Sequence, residues 1–226
     1  MKIKFLFPVF LSFAFIHSIF AQSHVRHLEN YDEKLFHFGF VVGLNQTWFN
    51  MKTNDNYNGS SFVAHTKVST GFSVGLSAAL QPNELLAIRF SPTAVFGQRA
   101  IDFQDYATGT TTSKVVESTT AEFPLLLKIK SYRRHNGRMF MLVGIKPSFS
   151  LASKSAKEEE RIRVSSTDVA IEYGFGFEKF NEMFKFAPEI RFSHGLKNVL
   201  QLDENIYSQQ IGKLTNHSVS LYLFFE

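Results

Sequence analysis

Residues 185–195 read KFAPEIRFSHG, and the side chains of this stretch alternate in character. One set carries the charges of Lys185, Glu189 and Arg191, while the other contains Phe186 and Ile190. Because successive side chains of a strand point to opposite faces, the stretch predicts a strand with one charged face and one apolar face. In a soluble protein the charged face meets water, whereas in a membrane barrel it lines the lumen. The fold depends on which face is outside.

The same period of two recurs along the chain beyond residue 35. Eight alternating runs cover residues 36–51, 68–81, 85–98, 116–130, 138–151, 167–177, 184–195 and 216–225. The connections between them alternate between long and short, beginning with a long one. Outer-membrane barrels combine an even number of strands with short periplasmic turns and longer outer loops. We therefore predict an all-β fold, an eight-stranded antiparallel transmembrane β-barrel with this arrangement of turns and loops.

The polar face of the runs mixes Gly, Ser and Ala with charges of both signs. A face in contact with water normally carries few glycines, because glycine weakens a strand. The interior of an eight-stranded barrel is only wide enough for side chains to fill, and charges buried there must pair. We therefore predict a structural network of lumen charges formed by Arg89, Glu122, Lys128, Lys146, Glu172, Glu178, Glu189 and Arg191. The apolar face, with aromatic residues near the run ends, is predicted to contact outer-membrane lipids.

The start of the chain has the pattern of a secretory leader. Lys2 and Lys4 precede the apolar run FLFPVFLSFAFIHSIF and the small residue Ala21. This predicts a signal peptide over residues 1–21 with cleavage before Gln22. Residues 22–34 are then expected to form a periplasmic N-terminal segment, and residues 35–226 the barrel in the outer membrane. After the leader, no apolar stretch reaches the roughly 18–20 residues of a membrane helix.

The composition excludes several classes of function. The chain has no cysteine, which excludes disulfides and thiolate metal sites. Its formal net charge of +4 falls to +2 when Lys2 and Lys4 leave with the leader, which is too balanced to indicate a nucleic-acid partner. No phosphate-binding glycine loop occurs. We therefore expect no cofactor and no small-molecule substrate.

Few residues are candidates for catalysis or metal binding. His24 and His27 form H-x-x-H with no further ligand nearby, and we interpret them as part of a polar tail rather than a metal site. Ser193 and His194 are neighbours on one strand, so their side chains point to opposite faces. Three further residues could approach the outer rim, although no spacing selects them: His65, His217 and Ser218. We therefore predict no catalytic, cofactor or metal residue and no enzymatic activity.

One short turn concentrates positive charge. The stretch KIKSYRRHNGR covers residues 128–138 and is predicted to lie at the periplasmic end. The plainer interpretation is that its long side chains reach toward phospholipid headgroups. The sharper one is a docking surface for an acidic periplasmic partner. Its residues would be Lys130, Arg133, Arg134 and Arg138.

Five stretches carry a resemblance to a known family: NYDEKLFHFGFVVGLNQTWF (30–49), LLAIRFSPTAVFGQR (85–99), ESTTAEFPLLLKIKSYRRHNGR (117–138), EYGFGFEKF (172–180) and FAPEIRFSHGL (186–196). In this order they resemble the PorT family, small outer-membrane barrels associated with the type IX secretion system. The resemblance implies a protein required for the assembly or operation of that system, and for gliding where it serves motility, with other secretion-system proteins as partners. The family has no assigned active site, so no functional residue is carried over. In one departure from the general outer-membrane pattern, Glu226 follows the last strand, where a final aromatic residue is often found.

Two other functions remain open at this point. A soluble, secreted, lipocalin-like binder would have an apolar calyx inside and a polar surface outside. A lipid-modifying barrel enzyme would use a His or Ser at the outer rim. Two features argue against the soluble binder: the mixture of charged and small residues on the face predicted to line the lumen, and the lack of G-x-W at the first strand.

Overall fold

Antiparallel strands make up most of the computed structural model, which describes residues 26–53, 62–105, 111–151, 165–200 and 211–226. The predicted leader over residues 1–21 and His24 lie outside these residues. The strands are β1 (Phe36–Thr53), β2 (Phe62–Thr66), β3 (Ser69–Leu80), β4 (Leu86–Phe90), β5 (Thr93–Asp105), β6 (Thr111–Glu122), β7 (Leu125–Lys130), β8 (Gly137–Ser150), β9 (Thr167–Phe180), β10 (Lys185–Gly195) and β11 (Ile211–Phe225). A 3₁₀ turn, Glu29–Tyr31, precedes β1. Within the described residues, no helix is long and apolar enough to cross a bilayer.

These segments combine into eight strands, because three of the eight are interrupted once. The gap between β4 and β5 falls at Pro92, and the gap between β6 and β7 falls at Pro124. A proline has no N–H to donate to a ladder, so the regular pairing stops there. The neighbouring backbone still spans both gaps, since the N–H of Leu76 donates to the carbonyl of Pro92 (3.0 Å) and that of Ser91 to the carbonyl of Pro124 (3.2 Å). The third interruption separates β2 from β3.

The sheet closes into a ring. Strand β1 pairs with β3 along one edge and with β11 along the other, and the register of the closing pair aligns Phe40 with Phe225. The order around the ring continues through β10, β9 and β8 to β6/β7, β4/β5 and back to β3. Short connections at residues 81–85, 131–136 and 181–184 lie at the same end as the start of β1 and the end of β11. We call this the turn end, and the opposite one the loop end.

The two faces of the wall are opposite in character, and apolar side chains lie on the outside. Phe38 is 71% exposed, while Arg89 and Glu178 are fully buried in the lumen. In KFAPEIRFSHG the alternation places Lys185 and Arg191 inside and Ile190 outside. The predicted eight-stranded antiparallel barrel is therefore confirmed as the fold class. A soluble calyx with an apolar interior is excluded.

The strands extend further toward the loop end than the sequence predicted. The third run was expected to end at residue 98 and the fourth to begin at residue 116. Instead β5 and β6 continue as a paired hairpin up to Gln104 and Thr111. Strand β2 also falls within a predicted loop and pairs with β5. The prediction used an apolar alternating face as its criterion, but backbone pairing in a hairpin does not require one.

Candidate functional site

A continuous chain of ion pairs fills the lumen. We call it the lumen ladder: each member contacts at least one member of opposite charge, and Glu178 is shared by Arg138, Lys128 and Lys185. From the turn end to the loop end its members are Asp32, Arg138, Glu178, Lys128, Lys185, Glu226, Arg89, Glu189, Arg191, Glu172, Lys146 and Glu122. The set contains all eight residues predicted for the lumen, and the structure brings them together.

The half of the ladder toward the loop end is built around two arginines. Arg89 on β4 places Nη1 2.9 Å from Oε2 of Glu189 on β10. Arg191 donates from Nε to the other oxygen of Glu189 (2.5 Å) and from Nη1 to Oε2 of Glu172 on β9 (3.3 Å). Lys146 on β8 continues the ladder, with Nζ 3.6 Å from Oε1 of Glu172. Each carboxylate thus joins two strands of the wall.

Lys146 also ends the ladder at the loop end. Its Nζ lies 3.2 Å from Oε2 of Glu122, the last residue of β6. Both side chains are nearly fully buried. The pair therefore joins β6 to β8, which are otherwise paired over a short stretch, Thr120 to Glu122.

The half of the ladder toward the turn end converges on Glu178. This carboxylate accepts from Lys128 and Arg138 and lies 3.1 Å from Nζ of Lys185. Lys185 also contacts Glu226, whose Oε1 lies 3.1 Å from Nη2 of Arg89. Glu226 therefore joins the two halves of the ladder.

Charge balance and aromatic rings make this burial tolerable. The ladder contains six carboxylates and six cations, and a buried ion is stable only when it is paired and hydrogen-bonded. The guanidinium of Arg89 lies 4.4 Å from the ring centre of Phe224, and Nζ of Lys128 lies 3.8 Å from that of Phe140. Such cation–π contacts add stabilisation to desolvated cations. The lumen is therefore a packed polar core.

The opposite wall of the lumen is lined with small residues that leave room for these side chains. Gly43 on β1 faces Tyr222 and Ser73, and a Cβ atom at Gly43 would lie 2.6 Å from both the Tyr222 ring and Ser73 Oγ. The glycine is therefore required by close approach. This explains why the polar set in the sequence mixes glycine and serine with large charged residues.

Residues 27–35 lie across the turn end, and we call them the N-terminal plug. Tyr31 stacks on His37 with ring centres 4.0 Å apart, and its hydroxyl donates to Oε2 of Glu226 (3.1 Å). Asp32 contacts Nη1 of Arg138 (2.8 Å), and its carbonyl accepts from Gln81 (3.2 Å). Burial raises the pKa of the Tyr31 hydroxyl above its usual value. The plug thus extends the lumen ladder with residues that precede the first strand.

The four cations of the basic turn do not form one exposed surface. Lys130 is buried, and Arg138 belongs to the ladder. Arg133 has a side chain that is only 3% exposed, stacks 3.7 Å from the ring centre of Phe180 and donates to the carbonyl of Leu28 (3.2 Å). Arg134 alone of the four is exposed. Lys130 and Arg138 are buried because alternation places them at inward positions of β7 and β8. Arg133 is covered because it hydrogen-bonds to the carbonyl of Leu28 in the N-terminal plug.

The chain is similar to known outer-membrane proteins. Residues 20–201 match the family model for the outer membrane protein beta-barrel domain. The chain belongs to this family. The solved structure of the outer membrane protein OprG from Pseudomonas aeruginosa is 9% identical, with a TM-score of 0.43, over 83% of this chain and 92% of that chain. Ail, the attachment invasion locus protein of Yersinia pestis, is 11% identical, with a TM-score of 0.36, over 83% of this chain and 96% of that chain. No curated protein matches the chain in sequence.

Toward the loop end of this outer-membrane barrel, His194 and His217 lie on a different face from the neighbouring serines. His194 and His217 are on the outer face, with their Nδ1 atoms 2.8 Å apart, whereas Ser193 and Ser218 are buried in the lumen. Nucleophile and base are thus separated by the wall. The side chain of His65 lies outside the described residues, and those residues contain no group of three or more metal ligands.

Five residues at the turn end were missing from the predicted network: Tyr31, Asp32, Arg138, Lys185 and Glu226, of which Arg138 was predicted as part of the basic turn instead. Lys185 and Glu226 could have been found by alternation, because Phe186 and Phe225 face outward and their neighbours must face inward. Nothing in the strand pattern points to Tyr31 or Asp32, since they precede the first strand.

Proposed function

We propose that this outer-membrane protein is a non-catalytic barrel component required for the assembly or operation of the type IX secretion system, and for gliding motility where that system serves it. It acts through contacts with other secretion components and carries no cargo itself. The five sequence stretches that resemble the PorT family support the assignment to this system. One of them begins with NYDEK, whose Tyr31 and Asp32 are the plug residues that contact the lumen ladder.

The filled lumen supports the proposal that the barrel does not itself transport cargo. Arg89, Arg191, Tyr222 and Phe224 all lie inside the barrel and are at most 2% exposed. A water-filled channel would leave such residues accessible to solvent along its length. Ion pairs in the lumen also link strands around the ring, so widening it would separate buried charges at high cost. A rigid, filled barrel is suited to a scaffold rather than to a pore.

The turn end supplies a surface for partner contacts. Tyr132 is 70% exposed in the turn between β7 and β8, and Met183 is 90% exposed in the turn between β9 and β10. Arg134 adds an exposed cation to the first of these turns. Exposed aromatic, methionine and arginine side chains are the types enriched at protein interfaces. We propose that components on the periplasmic side dock here, with Arg134 as the remaining contributor from the basic turn.

A lipid-modifying enzyme is the less favoured alternative. The described His194 and His217 are oriented by each other and by Tyr173 and Thr215, and the nearby serines face the lumen. An activated nucleophile needs its base within hydrogen-bond reach. Ser193 and Ser218 do not meet this requirement. Thr215 Oγ1 does lie 3.2 Å from Nε2 of His217, but the other ring nitrogen of that histidine faces His194 rather than an orienting carboxylate.

Gene deletion with complementation tests the proposal. Deletion should abolish export of the proteins that the type IX system secretes, and the wild-type gene should restore it. Normal export in the deletion strain would contradict the secretion role and leave only the barrel fold. N-terminal sequencing of the mature protein would test the proposed cleavage before Gln22.

A pair of variants tests the docking surface. Tyr132→Ser combined with Met183→Ser should reduce export while leaving the barrel folded and membrane-inserted. Leu196→Ser is the matched control, because Leu196 is 55% exposed at the loop end. Equal export with the double variant and with Leu196→Ser would rule out the turn end as the contact surface.

A further inference from the structure

Two lysines face each other on the outer surface of the closing seam. The register of β1 and β11 places Lys52 directly opposite Lys213, and both side chains are exposed. Like charges directly opposite each other in a sheet are destabilising. Neither lysine has an acidic partner among the described residues. The pair therefore forms a local concentration of positive charge that an anion would relieve.

The neighbouring residues on β1 and β11, toward the turn end, indicate the depth of the lysine pair in the membrane. Moving down the same seam from the loop end, Asn50 pairs with Thr215, and then Trp48 pairs with His217 and stacks on it with ring centres 6.2 Å apart. Tryptophan and other amphipathic rings concentrate at the interface between hydrocarbon and headgroups. The two ammonium groups therefore lie just beyond that interface, at the level of lipid headgroups.

An apolar groove lies further down the same seam. It has a volume of about 290 Å³ and is lined by outward side chains of β1, β3 and β11: Val42, Leu44, Phe72, Val74, Leu221 and Leu223. Leu44 is eight positions from Lys52, or about 27 Å along the strand. A strand tilt of about 40° reduces this to about 20 Å along the barrel axis. One leaflet with its headgroups has about this thickness, so the groove lies where acyl chains end.

We propose that this seam binds one anionic lipid whose headgroup carries phosphate, in the leaflet at the loop end. The phosphate lies between the ammonium groups of Lys52 and Lys213, and an acyl chain follows the seam past Trp48 into the groove. The headgroup supplies a counter-charge that the described residues do not give the lysine pair, and the groove supplies a surface recess for the acyl chain. The charge pair and the groove are independent features, and a lipid is the ligand that spans the distance between them.

Trp48 makes the proposal testable, because it is the one tryptophan of the chain and lies between the two features. The protein is reconstituted in phosphatidylcholine vesicles, and Trp48 fluorescence is quenched with brominated phosphatidic acid or with brominated phosphatidylcholine. Each lysine near an anionic headgroup contributes about fivefold to binding, so phosphatidic acid should be preferred by about five- to twenty-five-fold. Equal quenching by the two brominated lipids would overturn the proposal.

Matched variants separate this site from general attraction to an anionic surface. Lys52→Gln combined with Lys213→Gln should remove the preference for phosphatidic acid. Lys179→Gln is the control, because Lys179 is exposed on β9 at the turn end, and it should leave the preference intact. Loss of the preference in both the double variant and Lys179→Gln, or in neither, would contradict the proposal.

Two more measurements test the acyl-chain part. Val74→Phe fills the groove and should reduce quenching by brominated phosphatidic acid while the barrel remains folded. Inorganic phosphate added to the vesicles should not change the quenching, since it has no chain to occupy the groove. Competition by free phosphate would show an anion site in place of a lipid site, and unchanged quenching in Val74→Phe would exclude the groove.

Discussion

Replacement of Glu178 by Gln should strongly destabilise the barrel. The carboxylate is fully buried and contacts Lys128, Arg138 and Lys185. Gln has nearly the same shape but no charge, so three buried cations lose their shared partner. Removing one member of a buried ion pair costs about 3–5 kcal/mol. This corresponds to a decrease of roughly a hundred- to several-thousand-fold in the folding equilibrium.

The measurement is urea unfolding of the protein in vesicles, followed by Trp48 fluorescence. Glu182→Gln is the matched control, because Glu182 is exposed in the turn between β9 and β10, and its effect should stay within about 0.5 kcal/mol. Lys128→Met combined with Glu178→Gln should cost less than the sum of the two single changes, since removing the cation relieves the unpaired charge. A cost for Glu178→Gln no larger than that of Glu182→Gln would refute the reasoning that buried cations of the lumen ladder depend on Glu178 as their counter-charge.

Three other predictions concern the termini and the faces. Glu226→Gln should destabilise the barrel by about 3 kcal/mol, because Arg89 and Lys185 lose a buried carboxylate, and urea unfolding measures this. Burial raises the pKa of Tyr31, so its contribution to docking of the N-terminal plug is present below about pH 10 and is lost as the pH rises further; cleavage of the plug by an alkaline-active protease should accelerate there in wild type and not in Tyr31→Phe. Since the chain has no cysteine, single Cys substitutions can carry spin labels, and a label at Phe90 or Leu125 should contact lipid; a label shielded from lipid at both sites would contradict the assignment of faces.

Alternation along the strands was enough to predict the fold and most of the candidate site. A small lumen cannot hold unpaired charges, so the charged set in KFAPEIRFSHG could face inward only if other strands supplied partners. Glu189 and Arg191 find theirs in Arg89 and Glu172, which came from the same alternation in other runs. What alternation cannot give is the pairing itself. Which carboxylate meets which cation depends on strand stagger and side-chain reach.

The residues that the sequence did not predict lie where alternation ends. Tyr31 and Asp32 are in an irregular segment, and their positions come from tertiary contacts with His37 and Arg138. The predicted docking surface of four cations in the basic turn is not formed, for a related reason. A cluster of cations in the sequence does not show which way each side chain points. Arg133 points back onto the ring of Phe180, where it also contacts the N-terminal plug.

The position of Glu226 makes completion of the lumen depend on completion of the ring. Without this residue the ladder has five carboxylates for six cations, and Arg89 and Lys185 each lose a buried partner. Glu226 follows β11, whose pairing with β1 closes the ring, and it contacts Arg89 on β4, Lys185 on β10 and Tyr31 of the plug. Before the ring closes, Arg89 and Lys185 therefore lack this carboxylate, and Tyr31 of the plug lacks its hydrogen-bond acceptor. Pairing of β11 with β1, charge balance in the ladder and docking of the N-terminal plug are thus stabilised by the same carboxylate, which joins the segment before β1 to the segment after β11 at the turn end.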